Sequence, residues 1–173
     1  VASMGISLTE YSILKPPTFI GLENYIQLFN DELFYKAVFN TIYYVGVSVP
    51  LGVTLAFLMA IALNQKLRGQ TWFRTIFYLP SVVSGIAVAL LWGYLLSPRG
   101  GPINELLKVV GLPIQPWLGS PRTALWSLVL LTIWQYLGYF TTILVAGLMQ
   151  IPKEYEEAAS IDGAGPIRRT ISI

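Results

Sequence analysis

Three stretches without one charged side chain divide this sequence: residues 37–65, 75–98 and 123–152. Each exceeds the ~20 apolar residues that a helix needs to cross a bilayer, so each is predicted to be a membrane span. At ~1.5 Å per residue the longest outruns a ~30 Å hydrocarbon core, and tilt or protruding ends are expected. Pro50 and Pro80 each withdraw a backbone donor inside the first two runs and are expected to bend those helices. Gly85, Gly93, Gly138 and Gly147 offer small faces for helix–helix contact. Trp72, Trp92, Trp117 and Trp126 stand near the run ends, where interfacial anchors collect. Two shorter stretches, 18–36 and 103–110, read as helices lying at the interface. The predicted fold class is all-α: a polytopic membrane helix bundle, three transmembrane helices within one domain of residues 1–173, with short interfacial helices beside them.

Composition agrees. Of 173 residues 54% are hydrophobic and only 12% charged, with a mean hydropathy of +0.61; a soluble domain carries about 25% charge. There is no His and no Cys, which removes imidazole acid–base chemistry, Ser-His nucleophiles, thiol chemistry and the usual zinc or haem sites. A net charge of +2 is too small to argue for a nucleic-acid partner. Together these exclude most enzyme classes.

Charges in the short loops set the orientation. Lys66, Arg68 and Arg74 lie close together with no acid among them, which places loop 66–74 in the cytoplasm. Residues 1–36 and 99–122 are then external, the three spans occupy 37–65, 75–98 and 123–152, and 153–173 is cytoplasmic. Inside the spans there is no ionisable group for a proton or ion relay. A neutral, hydroxyl-rich solute suits such a path, because it needs hydrogen-bonding groups and flat aromatic faces rather than counter-ions. Gln135, Tyr139 and Thr142 recur at helical spacing on one face of the third span. With Tyr43 in the first span and Ser84 in the second, they are the candidate substrate-path residues; bonding across helices is the competing use of such groups.

Directly after the third run the sequence turns acidic and small: Lys153-Glu154-Tyr155-Glu156-Glu157-Ala158-Ala159-Ser160-Ile161-Asp162-Gly163. Glu156 and Glu157 offer charge, Ala158 and Ala159 let another backbone come close, and Gly163 is expected to end the helix. A short helix seated in a partner's groove is a recurrent recognition mode. The candidate docking residues are Glu156, Glu157, Ala158, Ala159, Asp162 and Gly163.

Glu157-Ala158-Ala159, three residues, Gly163, nine residues and Ile173 resembles the signature loop of permease subunits in bacterial ATP-binding-cassette importers. That pattern continues with Leu-Pro just past Ile173, so the chain is expected to be a piece of a longer protein. Pro17-Thr18-Phe19-Ile20-Gly21-Leu22-Glu23-Asn24-Tyr25, Tyr78-Leu79-Pro80 and Ala146-Gly147-Leu148-Met149-Gln150-Ile151-Pro152 look like the branch importing sugars, oligosaccharides and glycerol phosphate, the maltose-type inner-membrane permeases. The resemblance implies a bacterial inner-membrane, multi-pass localisation and a second permease subunit, in a heterodimer. It also implies two ATPase subunits that bind ATP and magnesium, and an external solute-binding protein. The chain itself has no Gly-x-x-x-x-Gly-Lys-[Ser/Thr] phosphate loop, so it is expected to bind no cofactor and not to be an enzyme.

The expected function is translocation of a sugar, oligosaccharide or polyol by alternating access, driven by the separate ATPase. Two alternatives stay open: the same build serving another solute (amino acid, phosphate, glycerol phosphate or metal ion), and a non-transporting membrane scaffold. A membrane-embedded enzyme has almost no side-chain chemistry left to use.

Overall fold

A computed structural model describes residues 2–12, 15–64, 69–163 and 165, in two compact units, Val1–Val45 and Gly46–Ile173. Lys66, Arg68 and the end of the signature pattern at Ile173 lie outside the described residues.

In the first unit, helix α1 (Ala2–Ile6) leads into an antiparallel hairpin, β1 (Thr9–Ser12) and β2 (Lys15–Phe19). Thr9 pairs with Phe19, Glu10 with Thr18 and Ser12 with Lys15. This hairpin is an addition to the expected all-helical plan. Pro16 and Pro17 lack N–H donors, which suits a strand paired along one edge only. Helix α2 (Glu23–Asn30) is tied to it by Asn24, whose Nδ2 donates to the Ser7 and Thr9 carbonyls at 2.9 and 3.1 Å. The Tyr25 hydroxyl lies 2.7 Å from Ser7 Oγ. Only 23–30 of the expected 18–36 interfacial segment forms this helix. Helix α3 (Glu32–Asn64) begins ahead of the charge-free run, where the Asp31 carboxylate accepts the Leu33 N–H at 2.8 Å and satisfies one otherwise orphaned donor. Pro50 sits inside α3 without ending it.

In the second unit, the later part of α3 packs on α7 (Pro121–Leu148). Ala60 and Leu63 meet Val145 in a buried cluster flanked by Leu144 and Leu148, and Thr141 Oγ1 lies 3.5 Å from the Ala56 carbonyl. Gly52 faces Ile133. These contacts rise in the same order along both helices, so α3 and α7 run in the same direction and the chain between them must travel back.

That return differs from the expected single span over 75–98. Helix α4 (Gln70–Val82) and helix α5 (Gly85–Leu95) meet at 98°. Pro80 stays inside α4, and the break falls three residues later: Val83 and Ser84 both have extended ψ, 139° and 134°. Pro80 cannot donate, its carbonyl takes the Val83 N–H at 3.4 Å, and the Ser84 carbonyl then opens α5 by accepting from Val88 at 3.0 Å. At 13 and 11 residues the two helices reach about 20 and 16 Å, each short of a ~30 Å core. Among the described residues two helices, α3 and α7, are long and apolar enough to span by themselves; the bent pair makes a third span only if taken as one.

Helix α6 (Pro102–Val109) forms where the amphipathic 103–110 stretch predicts it. It closes with the Leu112 N–H on the Leu107 carbonyl at 2.8 Å and the Gly111 N–H on that of Lys108 at 3.0 Å, a Schellman arrangement. Helix α8 (Lys153–Ile161) follows α7 after a short turn.

Candidate functional site

Helix α4 crosses α7 at Gly138. A Cβ at that position would overlap the Phe77 carbonyl and stand 2.6 Å from the Tyr78 nitrogen, so the missing side chain is what lets the two backbones touch. Thr142, one turn on, donates its Oγ1 proton to the Gly138 carbonyl at 2.8 Å, satisfying the hydroxyl within the helix. Beside this crossing lies an open surface groove of about 300 Å³, lined by Arg74, Thr75, Tyr78, Leu79, Val82 and Thr142. Arg74 falls near Thr142 and Phe77 near Gly138, so α4 runs against α7, as a returning segment should.

The candidate path residues of the second unit are spread along α7 and the α4–α5 corner. Thr142 lines the groove. Tyr139 is exposed, with its ring edge against Phe140 at 5.5 Å. Gln135 shares their side of the helix by spacing but is buried. Ser84 is exposed at the α4–α5 corner, its carbonyl committed to α5. Tyr43 belongs to the first unit, where its ring stacks on Phe39 at 6.4 Å.

At the opposite end, Asn104 organises the connection from α5 to α7. It is 1% exposed. Its Nδ2 donates to the carbonyls of Ser97 (3.2 Å) and Gln115 (3.0 Å), and its Oδ1 accepts from Gln115 N (3.1 Å) and Trp117 Nε1 (3.0 Å). Ser127 Oγ on α7 reaches the Trp117 carbonyl at 3.3 Å. Trp92 of α5 packs edge-on to Trp134 of α7 with centroids 5.3 Å apart, an arrangement worth ~0.5–1.5 kcal/mol beyond its area. The end of α5, helix α6 and the first turns of α7 thus form one braced block. The exposed Lys108–Glu105 pair, 2.6 Å apart, adds little. Nothing local in the sequence marks Asn104, since its partners lie 7 to 13 residues away.

Helix α8 carries Glu156, Glu157, Ala158 and Ala159, and the Asp162 N–H closes on the Ala158 carbonyl at 3.0 Å. Gly163 then takes φ +77°, a left-handed conformation that glycine adopts without steric cost. Tyr155 and Ile161 are exposed on this helix. The side chains of Glu156 and Glu157 lie outside what the structure describes.

With the bundle, the crossing and the acidic helix in place, comparison with known proteins defines the class. Residues 34–173 match the family described as binding-protein-dependent transport system inner membrane component, and the chain belongs to that family. It is similar to the probable ABC transporter permease protein YesP of Bacillus subtilis, 40% identical over 99% of this chain and 56% of that protein. The diacetylchitobiose uptake system permease protein NgcF of Streptomyces coelicolor is 33% identical over 96% of this chain and 51% of its own length. Among solved structures, a bacterial alginate ABC transporter in complex with its alginate pentasaccharide-bound periplasmic protein superposes with a TM-score of 0.81 at 29% identity, covering 89% of this chain and 54% of that one. The chain spans about half the length of the relatives it matches.

Proposed function

We propose that this chain is part of the membrane-spanning permease of an ATP-driven importer that carries a sugar, oligosaccharide or polyol across a bacterial inner membrane. The observation that carries this reading is the family match over 34–173, which takes in α8 and its Glu157-Ala158-Ala159…Gly163 pattern as well as the spans. Among its named relatives one belongs to a diacetylchitobiose uptake system and one to a transporter of the acidic polysaccharide alginate, which supports a carbohydrate, and spans rich in hydroxyl and amide groups suit a hydroxyl-rich solute. The partners in this reading are a second permease subunit, two ATPase subunits holding ATP and magnesium, and an external solute-binding protein. The chain binds no nucleotide of its own.

Mechanically, α8 is the handle. It leaves α7 after four residues, so a force on α8 is delivered to α7, and the Gly138–Phe77 contact passes it to α4. Closure of the ATPase pair biases the bundle between inward- and outward-open states by binding one of them better. Tyr139 faces the solute in this scheme, and buried Gln135 positions it. Solute-stimulated ATPase activity of the purified full-length complex tests the proposal. Stimulation by a carbohydrate presented on its binding protein is expected, and stimulation by amino acids or phosphate alone would overturn the solute class.

A further inference from the structure

Arg74 lies just over one turn into α4, and its Nε is buried without a hydrogen-bond partner among the described residues. Shielded polar nitrogens of this kind are uncommon and leave a cost standing until an acceptor reaches them. The same residue heads the α4–α7 groove, and the lining is graded from end to end. Arg74, Thr75 and Thr142 stand at one end, then Tyr78, then Leu79 and Val82, both exposed. Val82 lies about 12 Å beyond Arg74 at ~1.5 Å per residue. Arg74 thus sets a cationic side chain at one end of the groove and apolar side chains at the other. An amphiphile with an anionic head and a hydrocarbon tail matches both ends. We propose that this groove is a binding site for an anionic phospholipid, with Arg74 donating to the headgroup phosphate and an acyl chain lying along Leu79 and Val82. The assignment needs only a bilayer around α4 and α7, and it holds whichever solute crosses.

The test places a photoreactive benzoylphenylalanine at Val82 of the full-length permease in its assembled complex. The complex is reconstituted in phosphatidylcholine bilayers with or without phosphatidylglycerol. Illumination is expected to crosslink Val82 to phosphatidylglycerol in preference to phosphatidylcholine. Arg74→Gln should reduce that preference roughly tenfold, the loss expected for one charge-assisted hydrogen bond, and Arg74→Lys should keep most of it. The preference in the parent complex stands as a test even if Arg74→Gln fails to assemble. Crosslinking to a polypeptide would overturn the proposal and make the groove the seat of a neighbouring helix. Equal labelling of both lipids, or labelling indifferent to Arg74→Gln, would overturn it by removing the headgroup contact.

Discussion

Gly138 of α7 lies directly against the Phe77 carbonyl of α4, with no room between them for a methyl group. Gly138→Ala should therefore push α4 off α7, at the ~1–3 kcal/mol typical of overpacking. Gly147, on the same helix with open space around it, is the control: Gly147→Ala should be neutral or slightly stabilising, because alanine favours the helix. Thermal unfolding of the assembled complex separates the two. Equal melting temperatures would mean that the crossing yields without cost.

Asn104→Leu should strip the acceptor from Trp117 Nε1 and the Gln115 N–H at once. Each buried group left unsatisfied costs ~1–3 kcal/mol, so the outer block should loosen and the melting temperature should fall. Proteolysis between residues 97 and 120 should become faster in the same variant. Unchanged cleavage would show that the block is braced from elsewhere.

Cysteine labelling in intact cells examines the topology. A cysteine replacing Val109, which is 84% exposed, should react from outside, and one replacing Gln70 only after the membrane is opened. Reaction of positions 70 and 109 from the same side would refute the assigned orientation.

If α8 docks as proposed, Glu157→Lys should release the ATPase or uncouple hydrolysis from uptake while insertion into the membrane continues, because it reverses the charge offered to a basic group of the partner. At Gly163, φ +77° makes Gly163→Asn mild and Gly163→Val severe, because asparagine tolerates the left-handed region and a β-branched residue does not. Co-purification with the ATPase and solute-dependent hydrolysis are the readouts. Parental behaviour in Glu157→Lys and Gly163→Val together would mean that α8 is a solvated helix and not a handle.

Tyr139 and Gln135 should part company. Tyr139→Phe removes an exposed hydroxyl, and should weaken uptake by roughly tenfold in affinity if that group bonds the solute, with no change in melting temperature. Gln135→Ala empties a buried position and should lower the melting temperature. Full uptake by Tyr139→Phe would take that residue off the path.

The parts of this fold legible in the sequence are those whose signal is long. Helices α3 and α7 announce themselves through uncharged stretches that no loop tolerates, and α8 through its spacing of Glu157, Ala158, Ala159 and Gly163. The α4–α5 corner is hidden because Val82, Val83, Gly85 and Ile86 are as apolar as what surrounds them, so hydropathy reads straight through a right-angled turn. Pro80 points near the break but not at it, since a helix can carry proline for a few residues before it ends. The β1–β2 hairpin is masked by Pro16 and Pro17, and Arg74 reads only as a topological charge until α7 is laid beside it.

The corner at Val83 and Ser84 also bears on how the protein is made. A machinery that admits apolar segments to the bilayer one at a time meets, in residues 70–95, two pieces that are each too short to be admitted as a span. Their place in the membrane comes from α7, against which Phe77 and Trp92 both rest, and α7 leaves the ribosome later. A nascent polypeptide halted before residue 121 would therefore hold α4 and α5 without the helix against which they pack.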